Sequence, residues 1–268
     1  MLLSERFPVV YPLSVAAHRA ARRAEWILHS GPPPSRDRAM PGDVVVARHS
    51  SLIYRRLAGI DMQLQENKRK NLALAVAALD GRVLRPGDEL SFWRCIGEPT
   101  SRRGYLVGLV LVNGRMGADV GGGLCQLSNL LYWLVLHTPL EVSERHHHGY
   151  DVFPDSGRVL PFGSGATVFY NYVDLRFRNP TQLQFRLHLW LSDEELFGEI
   201  TADRLPSVAY HVEEEGHRFV RVDGRWWREN RLYQVLVDRG SGRQVERCLI
   251  SANRSPVMYE VEEPSTAA

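Results

Sequence analysis

Cysteine is scarce in this chain: Cys95, Cys125 and Cys248 are the only three among 268 residues. So few, and an odd number, exclude a disulfide scaffold and leave at least one thiol free or paired between chains. Long hydrophobic runs are missing too. Unbroken ones such as Leu130 to Leu136 fall well short of the ~20 residues that cross a bilayer and read as parts of core helices. Neither charge sign prevails, since 33 Lys+Arg against 31 Asp+Glu leave a net charge of +2. That balance argues against a dedicated nucleic-acid binder, which carries a stronger basic excess. The N-terminus is broken by Glu5, Arg6, Arg19, Arg22 and Arg23 and lacks the basic-then-apolar order of a signal peptide. A cytoplasmic protein with reduced thiols is therefore expected.

What is present is ordinary globular composition, 44% hydrophobic and 24% charged, in a length suited to one large domain with small additions. Apolar spacing predicts a surface helix over 13–29 and a second helix over 66–79, with Gly81 as its stop. A Pro-rich linker separates them, from Gly31 to Asp43. From Glu89 the pattern turns strand-like (LSFW), then YLVGLVLV over 105–112 leads to an Asn113-Gly114 hairpin signal. Residues 121–137, GGGLCQLSNLLYWLVLH, run from a glycine loop into an apolar helix with Leu127, Leu130, Leu131 and Leu134 on one face. Strand character returns in 141–153, in ATVFYNYVDLRF over 166–177, in QLQFRLHLWL over 182–191, and in several short strands over 207–262. The expected fold is α+β. A mixed or antiparallel sheet packs on the helix that starts at the Gly-rich cysteine motif, and a β-rich extension follows. The implied division is a helical and Pro-rich region over 1–60, a main domain over 61–205, a small β extension over 206–262 and a frayed tail over 263–268.

Cys125 is the most informative residue. It follows Gly121-Gly122-Gly123-Leu124 and opens the apolar helix, where free N–H groups and the helix dipole lower a thiol's pKa. Glycines Gly122 and Gly123 would let a substrate backbone approach, and Gln126 or Ser128 could add a donor to an oxyanion site. The competing reading is a packed cysteine after a tight turn, and Cys95 and Cys248 are expected to be buried structural thiols. A cysteine nucleophile needs an imidazole partner, and His146, His147 and His148 lie downstream. In an extended segment His146 and His148 share a face. The same HxH pattern with a cysteine could hold zinc, but a full ligand set is not visible, so no metal or cofactor is expected. Arg145, Arg102 and Arg103 could each read a carboxylate, although a surface ion pair is the commoner role.

Several of these segments together resemble the VanW family. They are NLALAVAALDGRVLRPGDELSFW, IGEPTSRRGY, GGGLCQLSNLLYW, ERHHHG, GATV at 165–168 and DLRFRN at 174–179. The resemblance spans about residues 60 to 205. It implies a peptidoglycan L,D-transpeptidase-like acyl transfer, with Cys125 as nucleophile and His148, the histidine of the E-R-x-x-H motif, as acid and base. Gly165 stands where the family pattern usually carries an acid. The implied partner is peptidoglycan or a precursor peptide, with no nucleic acid and no integral membrane segment; the sequence leaves the oligomeric state open. Two other readings are a non-catalytic module that binds cell-wall precursors and a zinc-dependent hydrolase.

Overall fold

The computed structural model describes residues 10–28, 31–36, 40, 42–54, 61–112, 115–147, 149–152 and 160–261. In chain order the elements are α1 (Val10–Leu28), β1 (Val44–Leu52), α2 (Met62–Leu79), β2 (Val83–Leu84), β3 (Glu89–Ser91), α3 (Phe92–Ile96), β4 (Val107–Val112) and β5 (Arg115–Val120). They continue with α4 (Cys125–Leu136), β6 (Glu141–Glu144), β7 (Arg176–Arg178), β8 (Phe185–Leu191), β9 (Glu195–Ala202), β10 (Val208–Val222), β11 (Arg225–Asp238) and β12 (Gln244–Pro256). Four antiparallel sheets result, ordered β1-β9-β8-β2, β3-β7-β6, β4-β5 and β10-β11-β12. The fold is α+β, with a C-terminal β-sheet. Among the described residues no helix is long and apolar enough to cross a membrane.

Helix α4 is the centre of the core. Its apolar residues point in more directions than one stripe allows: Leu127, Leu130, Leu131, Tyr132, Leu134 and Val135 are all buried. The four-stranded sheet receives one side of it, through Leu196 and Ile200 of β9, while Leu72, Ala75, Val76 and Leu79 of α2 complete the same cluster. At its far end the Gln234 side chain of β11 donates to the Leu136 carbonyl at 2.8 Å, which satisfies one of the orphan acceptors of a helix terminus. The C-terminal sheet is thereby tied to the main body.

Three segments differ from the pattern expected of them, and two strands carry no clear pattern. LSFW is extended only to Ser91. There the hydroxyl accepts from Arg94 N–H at 3.1 Å and caps a short helix over Phe92–Ile96, a role serine favours. The β-rich composition of 166–177 yields a strand only at Arg176–Arg178. Upstream of it, the N–H of Ala166 donates to Asn129 Oδ1 at 2.7 Å and its carbonyl accepts from Ser128 Oγ at 2.6 Å. Side chains of α4 thus take the backbone groups that a neighbouring strand would otherwise pair. The short strands expected over 207–262 are three long ones, because β10 continues through Gly216 with a register shift between Glu215 and Arg218. Strands β1 and β9 had no clear sequence signal. Strand β9 is covered on both faces along most of its length, so it shows no alternation. The hairpin residues 113 and 114, and the tail from 262 onward, lie outside the described residues.

Because α4 is enclosed, truncating it leaves a cavity. Leu131→Ala should cost about 2–5 kcal/mol, read as a lower urea midpoint at unchanged slope. Leu249→Ala, at an exposed position of β12, should stay within about 0.5 kcal/mol of the parent.

Candidate functional site

The glycine turn between β5 and α4 is shaped by the protein itself. A Cβ on Gly122 would stand 2.1 Å from the Gly108 carbonyl of β4, and one on Gly123 (φ +96°) would stand 2.1 Å from Lys68 Cγ of α2. Both sites therefore demand glycine for close internal contact. Asn71 of α2, fully buried, locks the turn: its amide donates to the carbonyls of Leu106 (2.9 Å) and Gly122 (3.0 Å) and its Oδ1 accepts from Leu106 N–H at 2.8 Å.

This turn delivers Cys125 to the first position of α4. Its sulfur lies 3.7 Å from the Val168 carbonyl, and the residue is partly buried against the core. Burial pushes the thiol up from its ordinary value, the reverse of the lowering expected at a helix start. The resting group is therefore a protonated thiol. Burial also pushes Cys95 up, to about 11. Cys248, expected to be buried, is exposed on β12, because the first half of that strand, Gln244 to Leu249, is exposed on both faces; its sulfur lies beside Glu246.

The neighbouring candidates are largely engaged. Gln126 donates to the Ser51 carbonyl, the Ser51 hydroxyl and the Leu52 carbonyl of β1. Ser128 is fully buried and bonded to Ala166. Arg145 donates to the carbonyls of Gly165 (2.9 Å) and Gly163 and lies over the Tyr132 ring at 4.7 Å. Burial lowers its pKa, and no carboxylate pairs with it among the described residues. Arg103 closes onto the carbonyls of Glu98 and Ile96, while Arg102 is exposed. At Gly165 a Cβ would sit 3.1 Å from Asn129 Oδ1, so an acid in that place would press on the amide that holds Ala166.

The histidine segment runs beside the same stretch of chain. His146 pairs antiparallel with Thr167, whose N–H donates to the His146 carbonyl at 2.8 Å. The next residue, Val168, offers its carbonyl to Cys125. The His146 ring is exposed, and its Nε2 lies 3.0 Å from Glu144 Oε1. His147 is exposed as well. His148 lies outside the described residues.

Sequence reasoning assigned no role to the acidic pair beneath these histidines. Glu144 takes a bidentate contact from Arg22 (2.7 and 2.7 Å), the His146 ring and the Asp174 N–H at 3.2 Å. Burial works to raise this carboxyl, but the Arg22 and His146 contacts outweigh it and hold it below its ordinary range. Asp174 is fully buried. It accepts from the Ser91 hydroxyl, Trp93 N–H (3.1 Å) and Leu175 N–H (2.9 Å), and burial pushes it up to about 6. Both residues fall inside the quoted ERHHHG and DLRFRN segments, and only their contacts reveal the pairing. Among the described residues no three His, Cys, Asp or Glu side chains converge as a metal would require.

Asp174 should mark the pH profile of stability. Its folded pKa of about 6 exceeds the unfolded value of ~3.9, so between these limits the folded state holds a proton that the unfolded state has lost. Stability contributed here falls as pH rises through that window. Urea unfolding at pH 4 and pH 6.5 should show Asp174→Asn gaining on wild type by about 1–3 kcal/mol; a pH-independent difference would refute the shift. Native alkylation rates should run Cys248 first, then Cys125, then Cys95, since exposure and thiolate fraction both control the reaction.

The family model described as "VanW like protein" matches residues 67–201. The chain is 30% identical over 265 residues to "Vancomycin B-type resistance protein VanW" of Enterococcus faecalis, covering 97% of this chain and 95% of that protein. It is 32% identical over 114 residues to "Uncharacterized protein YoaR" of Bacillus subtilis, covering 42% of this chain and 36% of that one. No solved structure matches. Nearly the whole length of the chain takes part in these likenesses, the glycine turn, Cys125 and the histidine segment included, and it belongs to the VanW family.

Proposed function

We propose that the protein is a cysteine-dependent acyl-transfer enzyme acting on peptidoglycan-type peptides, with Cys125 as nucleophile and His148 as acid and base. The observation that supports the reading is one stretch of backbone that meets both Cys125 and His146. The 166–168 segment touches the Cys125 sulfur through Val168 and bridges His146 through Thr167. The cysteine and the histidine-bearing segment thus adjoin the same short stretch of chain, and a nucleophile and its base work within hydrogen-bond reach. Arg145, a partly buried cation that donates to the carbonyls of Gly165 and Gly163, supplies the charge that would fix a substrate carboxylate.

The chemistry proceeds in two halves. The Cys125 thiol passes its proton to His148, the thiolate attacks an amide carbonyl, the C–S bond forms, and the C–N bond breaks as His148 hands that proton to the departing amine. An acceptor amine or water then attacks the thioester, passes its proton to His148 and releases the thiolate. Amine acceptors make a transpeptidase; water makes a peptidase. The backbone N–H of Cys125 itself is suited to the oxyanion; those of Gln126, Leu127 and Ser128 already donate to the carbonyls of Gly123 and Leu124. Since the resting thiol is covered, the 167–173 segment must shift before substrate enters.

The assay takes precursor peptides, met on the cytoplasmic side of a membrane, and muropeptides, met outside it, each with amine and water acceptors and mass detection. Cys125→Ala and His148→Ala should each abolish turnover, and the double variant should be no worse than either, because residues acting as a unit are non-additive. His147→Ala should keep most activity. Turnover by a folded Cys125→Ala protein would overturn the proposal. Peptide binding without turnover in every variant, wild type included, would replace it with a binding module.

A further inference from the structure

Helix α1 docks by its polar face. Arg19, Arg22, Glu25 and Trp26 turn inward, while Leu13, Ala17, Ala20, Ala24 and Ile27 stay exposed on the opposite side. This reverses the usual arrangement of a surface helix. The inward groups converge on one loop. Arg19 Nε donates to the Tyr170 carbonyl at 3.2 Å and its guanidinium lies 5.3 Å from the Tyr170 ring centroid. Asn171 Nδ2 donates back to the Arg19 carbonyl at 3.3 Å. Arg22 Nη2 donates to the Tyr172 carbonyl at 3.2 Å, and His18 stacks on the Tyr172 ring at 5.0 Å.

That loop is closed at its base by reciprocal bonds between Phe169 and Val173, at 2.8 and 3.1 Å. Its root is Val168, whose carbonyl meets the Cys125 sulfur. Arg22 also holds Glu144, and Glu144 holds His146. One helix therefore fastens both the loop beside the cysteine and, through Glu144 at the end of β6, the segment that carries His146. Its seat is made mostly of charged and hydrogen-bonded contacts, which water can replace, and the buried Trp26 indole N–H has no acceptor among the described residues. Release restores a hydrogen bond to that group.

We infer that α1 is a strap that holds the 169–173 loop down beside Cys125, and that lifting it exposes the thiol. The consequence for turnover rests on the acyl-transfer reading; exposure of the sulfur does not.

The test uses the full chain with Arg19→Ala and Arg22→Ala combined. Iodoacetamide labelling at neutral pH, followed by peptide mass spectrometry, reads all three cysteines in one sample. Cys95, buried in the core cluster's edge, reports global opening, and exposed Cys248 reports reagent. Cys125 should label at least about tenfold faster than in wild type, while Cys95 stays slow, as local opening requires. Hydrogen exchange should show Phe169 and Val173 amides losing protection together. An unchanged Cys125 rate despite that loss of protection overturns the strap. So does a rise at Cys95 in step with Cys125, since the arginines would then only support global stability. If Cys125 of the variant labels fast but wild type and variant alike turn over no peptide, the strap stands and the acyl-transfer reading falls.

Discussion

Everything near the candidate site depends on α4 being enclosed on nearly all sides. A helix with buried residues at Leu127, Ser128, Leu130, Leu131, Tyr132, Leu134 and Val135 leaves only a narrow half-buried stripe through Gln126, Asn129 and Trp133, so its few polar side chains find partners inside the protein. Ser128 and Asn129 find the two backbone groups of Ala166. That pairing lays the 166–168 segment along the helix start, and the segment in turn brings Val168 to Cys125 and Thr167 to His146. The same enclosure sets the thiol's state. A helix N-terminus offers roughly half a positive charge to an anion, but the sulfur is turned into the protein and desolvation prevails.

Charge around the histidine strand is arranged in layers. Asp174 is the deepest and is pushed up toward neutrality; Glu144, next to it, stays ionised because Arg22 and His146 face it. Two neighbouring carboxyls with pKa values driven apart resolve what would otherwise be like-charge repulsion. Arg176 extends the layer outward to Glu89 and Glu25, which adds α1 to the same network. Arg22 and Glu144 are largely buried; only the exposed pairs around this layer fall to about 0–1 kcal/mol each. Their importance here lies in geometry, since they determine which segments are held together.

Sequence patterns revealed the parts of this protein whose physics is local. The α4 boundary followed from glycines ahead of an apolar run, and the hairpin signal after Val112 stood between two strands that do pair. The motifs also pointed to the family, and the α+β class followed from alternating element types. What stayed hidden was set by partners remote in the chain. Residues 166–177 have strand composition, yet Ala166 bonds to side chains of α4, Phe169 and Val173 bond to each other, and Asp174 N–H goes to Glu144. Strand β9 carries Gly198 and Glu199 in a doubly covered position, which no alternation announces. Gln126 and Ser128 resemble oxyanion donors in one dimension, and in three they are engaged by β1 and Ala166. Glu144 and Asp174 stood in plain view within quoted motifs, thirty residues apart by number alone, and only the fold makes them neighbours.

The covered thiol and the helix start describe two states of one residue. With the 169–173 loop in place, desolvation sets the pKa of Cys125 and the group is a poor nucleophile, since thiolate is the reactive form. With the loop displaced, water reaches the sulfur, the desolvation cost falls, and the helix N–H groups remain where they were. The balance then shifts toward the anion without any new charged group being supplied. A cysteine built this way is protected from adventitious oxidation while covered, because oxidation follows thiolate character and exposure. Its reactivity is gated by a segment rather than by a neighbouring base alone, and that segment is the one α1 fastens.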